Sequence, residues 1–144
     1  MTQGLPSLEL EVLIRLYDFL AGIHGWRTEP AKLLFRWERT VTECEGVYDV
    51  GLDDYTNDLT VREIIKKVLQ LDEDRQLVEF RRHLQKLDCR FLSSTRPVDR
   101  ALLHHDLVPD DTAVNFFYYR IPRRFGDEFA TDLARQGFTT APEE

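Results

Sequence analysis

Cysteine is scarce in this chain: Cys44 and Cys89 are the only two among 144 residues. That excludes a disulfide-built scaffold, and both thiols are expected to be reduced. Long apolar runs are missing as well. Stretches such as Val12-Leu13-Ile14 and Phe116-Phe117-Tyr118-Tyr119 fall far short of the roughly 20 residues that span a bilayer. Glu9, Glu11, Arg15 and Asp18 interrupt the first 30 residues, so no secretory signal is read there and a cytoplasmic location is expected. Positive charge is in short supply, with 19 basic against 26 acidic side chains and a net charge of -7. This argues against a general nucleic-acid binder, whose phosphate contacts need a concentrated cationic face. The chain also lacks a G-x-S-x-G elbow, a P-loop, a G-x-G-x-x-G turn and an HExxH pair, which weakens an enzyme reading. No cofactor and no metal site are expected.

The composition that remains is that of a folded domain. Hydrophobic residues make up 42% and charged residues 31%, and at this length a chain buries about 70% of its extended surface. Residues 1–144 are read as a single globular domain, with 139–144 as a frayed tail. The fold class expected is mostly α: a bundle of four to six helices with at most a small β element near residues 114–121.

Helical spacing supports that class. Ser7 caps a helix from Leu8 to about His24, with Leu13, Leu16, Tyr17, Leu20 and His24 on one face, Leu10, Val12 and Ile14 widening it, and Gly25 as its stop. A second helix is predicted over Glu29–Cys44, capped by Thr28, with Ala31, Leu34, Trp37, Val41 and Cys44 in phase. Residues 46–59 read as loop, with a short strand at Val47–Val50. Thr60 and Glu63 match a capping box that opens a third helix, with Leu59 stapled onto Ile64. A fourth helix is expected to open at Asp72-Glu73-Asp74 and run to about Leu92. Its Leu77, Phe80, Leu84, Leu87 and Phe91 repeat at 3, 4, 3, 4, a heptad seam, but two heptads fall short of the roughly three or four a coiled coil needs, which favours an intramolecular bundle helix over a zipper. Val98–His105 reads as a short helix, Val108–Asp111 as a turn, Val114–Ile121 as a strand, and Gly126-Asp127 as the start of a last helix that ends before Gly137.

Three constellations can carry function. The first is the run from Thr40 to Val61, which contains no Lys or Arg. It holds the candidate partner-binding residues Glu43, Glu45, Tyr48, Asp49, Asp53, Asp54, Tyr55 and Asp58. Carboxylates steer encounter with a basic partner and aromatic rings supply desolvated anchors. The bland alternative is a solvated loop whose carboxylates pair with Arg62, Lys66 or Lys67. An EF-hand register fails here, because Asp54 takes the glycine position and Thr60 the bidentate glutamate position of a loop begun at Asp49. For the run taken alone the solvated loop is the favoured reading; the binding reading is motivated by the placement of charge, since residues 1–60 carry 5 basic and 11 acidic groups, against 14 and 15 in the remainder.

The second constellation is His104-His105-Asp106, followed by Asp110 and Asp111. It is the weak catalytic candidate, for a metal- or acid–base-dependent enzyme. The third is the aromatic and cationic stretch ending in Arg120, Arg123 and Arg124, read as core packing with arginines free to pair internally rather than as a nucleic-acid surface. Together these point to a small acidic protein that acts by binding a basic protein surface. No membrane partner is expected. A homodimer would form through the Leu77–Phe91 seam, or through Trp26 and Trp37 where those rings reach the surface.

Overall fold

The computed structural model of the protein describes residues 5–102 and 113–138. Five α-helices and a two-stranded antiparallel sheet are built from them, as the composition and periodicity lead one to expect. Helix α1 spans Ser7–His24, α2 Leu33–Glu45, α3 Leu52–Leu71, α4 Val78–Ser94 and α5 Asp127–Arg135. Strand β1, Thr95–Pro97, pairs with β2, Arg120–Pro122, with Arg96 opposite Ile121. Helix α2 packs against both α3 and α4, and α1 lies across α3 and α4.

The helix stops follow local chemistry. Gly25 takes the left-handed conformation at φ 73° and its amide bonds to the Ala21 carbonyl, 2.8 Å away, as a C-terminal glycine should. Gly137 repeats this after α5 at φ 82°. The helix starts follow distant chemistry. No helix here takes an N-terminal cap from its own first residues, and Ser7 is the first residue of α1 rather than its cap. Helix α3 begins at Leu52, eight residues before the Thr60–Glu63 box, which therefore lies inside it. Its cap is the Asp132 carboxylate of α5, which accepts the Leu52 amide at 3.0 Å. Helix α4 begins at Val78, not at Asp72. The Asp72 carboxylate takes the amides of Gln76 and Leu77, and Glu9 of α1 takes those of Glu79 and Phe80, all at 2.9–3.0 Å. Thr28 gives no side-chain cap to the second helical segment, which opens as a 3-10 turn at Pro30–Lys32.

The expected strand at Val47–Val50 reduces to one parallel bridge between Tyr48 and Phe125. The aromatic run 116–119 is a 3-10 turn with Phe117 and Tyr118 both buried, so strand alternation fails there. The described part of Val98–His105, residues 98–102, is not helical; the remainder, with the 108–111 turn and the 139–144 tail, lies outside the described residues.

One continuous core joins all the helices. The seam of α4 is spent on it: Leu77, Phe80, Leu84, Leu87 and Phe91 are all buried. Trp37 is buried too, and Trp26 is half-buried against Tyr17 and His24. The seam and Trp37 are therefore taken up inside the molecule. A polar clamp crosses the core. Arg62 of α3 makes a bidentate pair with Asp88 of α4 at 3.0 and 2.9 Å, and Trp37 of α2 donates its indole N–H to the same carboxylate at 3.0 Å. Helix α1 buries Leu13, Tyr17 and Leu20 in the core, with Leu10, Val12, Leu16 and Ala21 half-buried against it. No helix among the described residues is long and apolar enough to cross a membrane.

Candidate functional site

The acidic run of residues 40–61 is divided by the fold into an inside and an outside. Tyr48 and Tyr55 go inside: their rings meet edge to face at 5.1 Å, and both pack on Phe129 of α5. Tyr55 donates its hydroxyl to the Arg120 carbonyl at 2.8 Å, and Tyr48 donates to Asp58 at 2.7 Å. Burial pushes both phenols far above their ordinary range. These rings are core, not surface anchors, which corrects the expectation for them. The reason is local. The link between α2 and α3 is extended at Tyr48, held by two backbone hydrogen bonds to Arg124 and Gly126, so one ring turns inward. Its neighbours turn outward, leaving Val47 56% and Val50 39% exposed.

The carboxylates divide as well. Glu45 is engaged by Arg90 through two hydrogen bonds, which hold its carboxyl below the usual range. Asp58 is half-buried on Tyr48. Glu43 is exposed, yet partial burial of its carboxyl and the nearby charge of Asp58 raise its pKa, against the pull of Arg39. Asp49, Asp53 and Asp54 are exposed and make no salt bridge among the described residues. The cations expected to neutralise them are used elsewhere: Arg62 on Asp88, Lys67 on Glu63, and Lys66 on Asn115.

Asp53 and Asp54 stand in the first turn of α3, where the positive end of the helix dipole favours carboxylates. The start of α5 lies beside them. A side chain on Gly51 would run into the carboxylates of Glu128 and Asp132, and one on Gly126 would run into Asp49. Glycine at these two positions leaves room for those carboxylate groups beside the helix ends. Asp127 and Glu128, both exposed in the first turn of α5, thus extend the acidic corner. Sequence reasoning missed Val47, Val50, Asp127, Glu128 and Asp132. No signal in the chain links the last three to residues some 75 positions earlier.

The arginines after the aromatic run serve the helix ends. Arg120 donates to the carbonyls of Leu92 and Thr95, Arg123 to that of Ser93, and Arg124 to that of Glu45. They therefore neutralise the C-terminal carbonyls of α4 and α2, a favourable use of cations. Beside them is a cavity of about 250 Å³ lined by Cys44, Glu45, Arg90, Ser93 and Arg124, among others. Cys44 is no nucleophile there, because burial and then the charges of Glu43, Asp58 and Glu45 push its thiol strongly upward.

His104, His105, Asp106, Asp110 and Asp111 lie outside the described residues. Among the described residues, no group of three or more His, Cys, Asp or Glu side chains is placed to hold a metal ion; His24 stacks on Trp26. No protein-family model, no curated protein and no solved structure matches this chain.

Proposed function

We propose that this protein acts without catalysis, by binding a partner protein with a basic surface through the corner where α2 ends and α3 and α5 begin. The contact centre is Val47 and Val50, and the rim is Asp49, Asp53, Asp54 and Glu128. One observation carries the reading: two solvent-facing valines sit among exposed carboxylates that form no ion pair among the described residues. Protein interfaces are built this way, with an apolar centre that excludes water and a charged rim that sets orientation and encounter rate. Asp53, Asp54 and Glu128 are already fixed on helix first turns, so little ordering entropy is lost on docking.

The test uses a partner retained by the wild-type chain and identified by mass spectrometry. Replacing Asp49, Asp53 and Asp54 together with Asn is expected to slow association about tenfold or more at low salt and to flatten its salt dependence. Val47→Ser is expected to speed dissociation and leave association nearly unchanged. Association by the triple variant as fast as wild type at low salt would overturn the reading.

A further inference from the structure

Helix α1 has a second, largely exposed face. Leu8, Val12, Arg15, Phe19 and Ile23 are spaced 4, 3, 4 and 4 residues apart and so lie along it, with Val12 half-buried against the core. Leu8 is 76%, Phe19 62% and Ile23 63% exposed. The near end of the stripe is hollow: Leu8, Glu9, Glu11, Val12, Arg15 and Gln76 line a groove of about 560 Å³. The far end carries a knob, the Phe19 ring. Glu11 and Arg15 flank the groove one turn apart, and they form no salt bridge with each other or with other described residues.

We infer that the occupant of this face is a second copy of the same chain, with the two α1 helices antiparallel about a two-fold axis. A groove at one end and a ring at the other make the stripe complementary to its own reverse, as an isologous contact requires. With Leu8 facing Phe19 of the other copy, each Phe19 ring enters the other's groove. Arg15 then lies opposite Val12 of the other copy and beside its Glu11. Symmetry forms that ion pair twice, on either side of the two-fold axis and between the two Leu8–Phe19 contacts. A foreign apolar helix would fill the groove, but the charge order of Glu11 and Arg15 selects the reversed copy. A single helix face is small beside the roughly 800 Å² per partner of a standard interface, so the dimer is weak and reversible. It uses none of the acidic-corner residues, and it stands or falls separately from the function proposed above.

The test is sedimentation velocity on the full chain from micromolar to near-millimolar concentration, with circular dichroism to verify folding. Wild type is expected to move reversibly from monomer to dimer. Phe19→Ser, at an exposed position that leaves the core intact, should raise the dissociation constant about tenfold or more, as loss of an interface anchor does. Arg15→Glu should weaken the dimer by setting Glu beside Glu. The double variant Glu11→Arg/Arg15→Glu should restore it, because the ion pair is remade with its ends exchanged. A wild-type chain that stays monomeric throughout, or a dimer indifferent to Phe19→Ser, would overturn the inference. A double variant as weak as Arg15→Glu alone would overturn the antiparallel register.

Discussion

Removing Asp88 tests how the three central helices are held together. Its carboxylate receives Arg62 from α3 through two hydrogen bonds and Trp37 from α2 through one. Arg62 is only 7% exposed, and its guanidinium carbon lies 5.5 Å from the ring centres of both Phe116 and Phe117. Asp88→Ala leaves that cation in an aromatic setting with no carboxylate. Breaking a buried pair from one side costs about 3–5 kcal/mol, and the orphaned indole N–H adds about 1 kcal/mol. Arg62→Met is milder, about 2–3 kcal/mol, because the Asp88 side chain keeps some solvent and the Trp37 donor. In the double variant no buried charge remains uncompensated. It should therefore cost no more than Asp88→Ala alone, with a coupling of about 2 kcal/mol or more. Urea unfolding followed by far-ultraviolet circular dichroism reads all three variants, and an unchanged slope shows that the states compared are the same. Strictly additive costs, or a loss below about 1 kcal/mol for Asp88→Ala, would refute the view that this clamp is a single buried charge pair.

Two further predictions concern the start of α4. Glu9→Ala should destabilise the fold by about 2 kcal/mol, since it removes both bonds to the Glu79 and Phe80 amides, and Glu9→Gln should cost less. Faster hydrogen exchange at those two amides is the local readout; unchanged exchange would contradict the capping role. Asp72 governs an acid-sensitive contribution. Burial alone would raise its carboxyl pKa, but hydrogen bonds from the Leu77 and Gln76 amides and from Arg81 outweigh burial and hold it below the ordinary range. A carboxyl depressed in the folded state contributes fully above its unfolded pKa of about 3.9, and the contribution disappears as pH falls through the folded value. Asp72→Asn should therefore lower stability at neutral pH and converge on wild type in strong acid. A gap that stays constant with pH would contradict the sign.

Local chemistry made α1, α4 and α5 legible, since each shows a strong 3.6-residue repeat, and Gly25 and Gly137 mark two of the stops. The start of α3 was hidden, because Gly51, Asp53-Asp54 and Asn57-Asp58 have loop composition while the cap that makes them helical, Asp132, comes from a helix 80 positions later. The start of α4 was displaced for a related reason: Asp72 sits outside the helix and caps it, aided by Glu9 from another element. Residues 114–121 have strand composition, but only Arg120 and Ile121 of them join a strand; Phe116–Tyr119 wind into a 3-10 turn that buries the successive rings of Phe117 and Tyr118. At the candidate site, the charge run was visible as an absence of Lys and Arg. The apolar centre was not, because large rings draw the eye to the surface reading while their area draws them into the core. The valines between them were left outside.

Comparative affinity capture tests the central claim most directly. Wild type, Val47→Ser/Val50→Ser and Asp49→Asn/Asp53→Asn/Asp54→Asn would be exposed to one lysate at low salt and their retained proteins quantified side by side. The account predicts a basic protein enriched on wild type, depleted by both variants and released by salt. Identical retained sets on all three chains would contradict it.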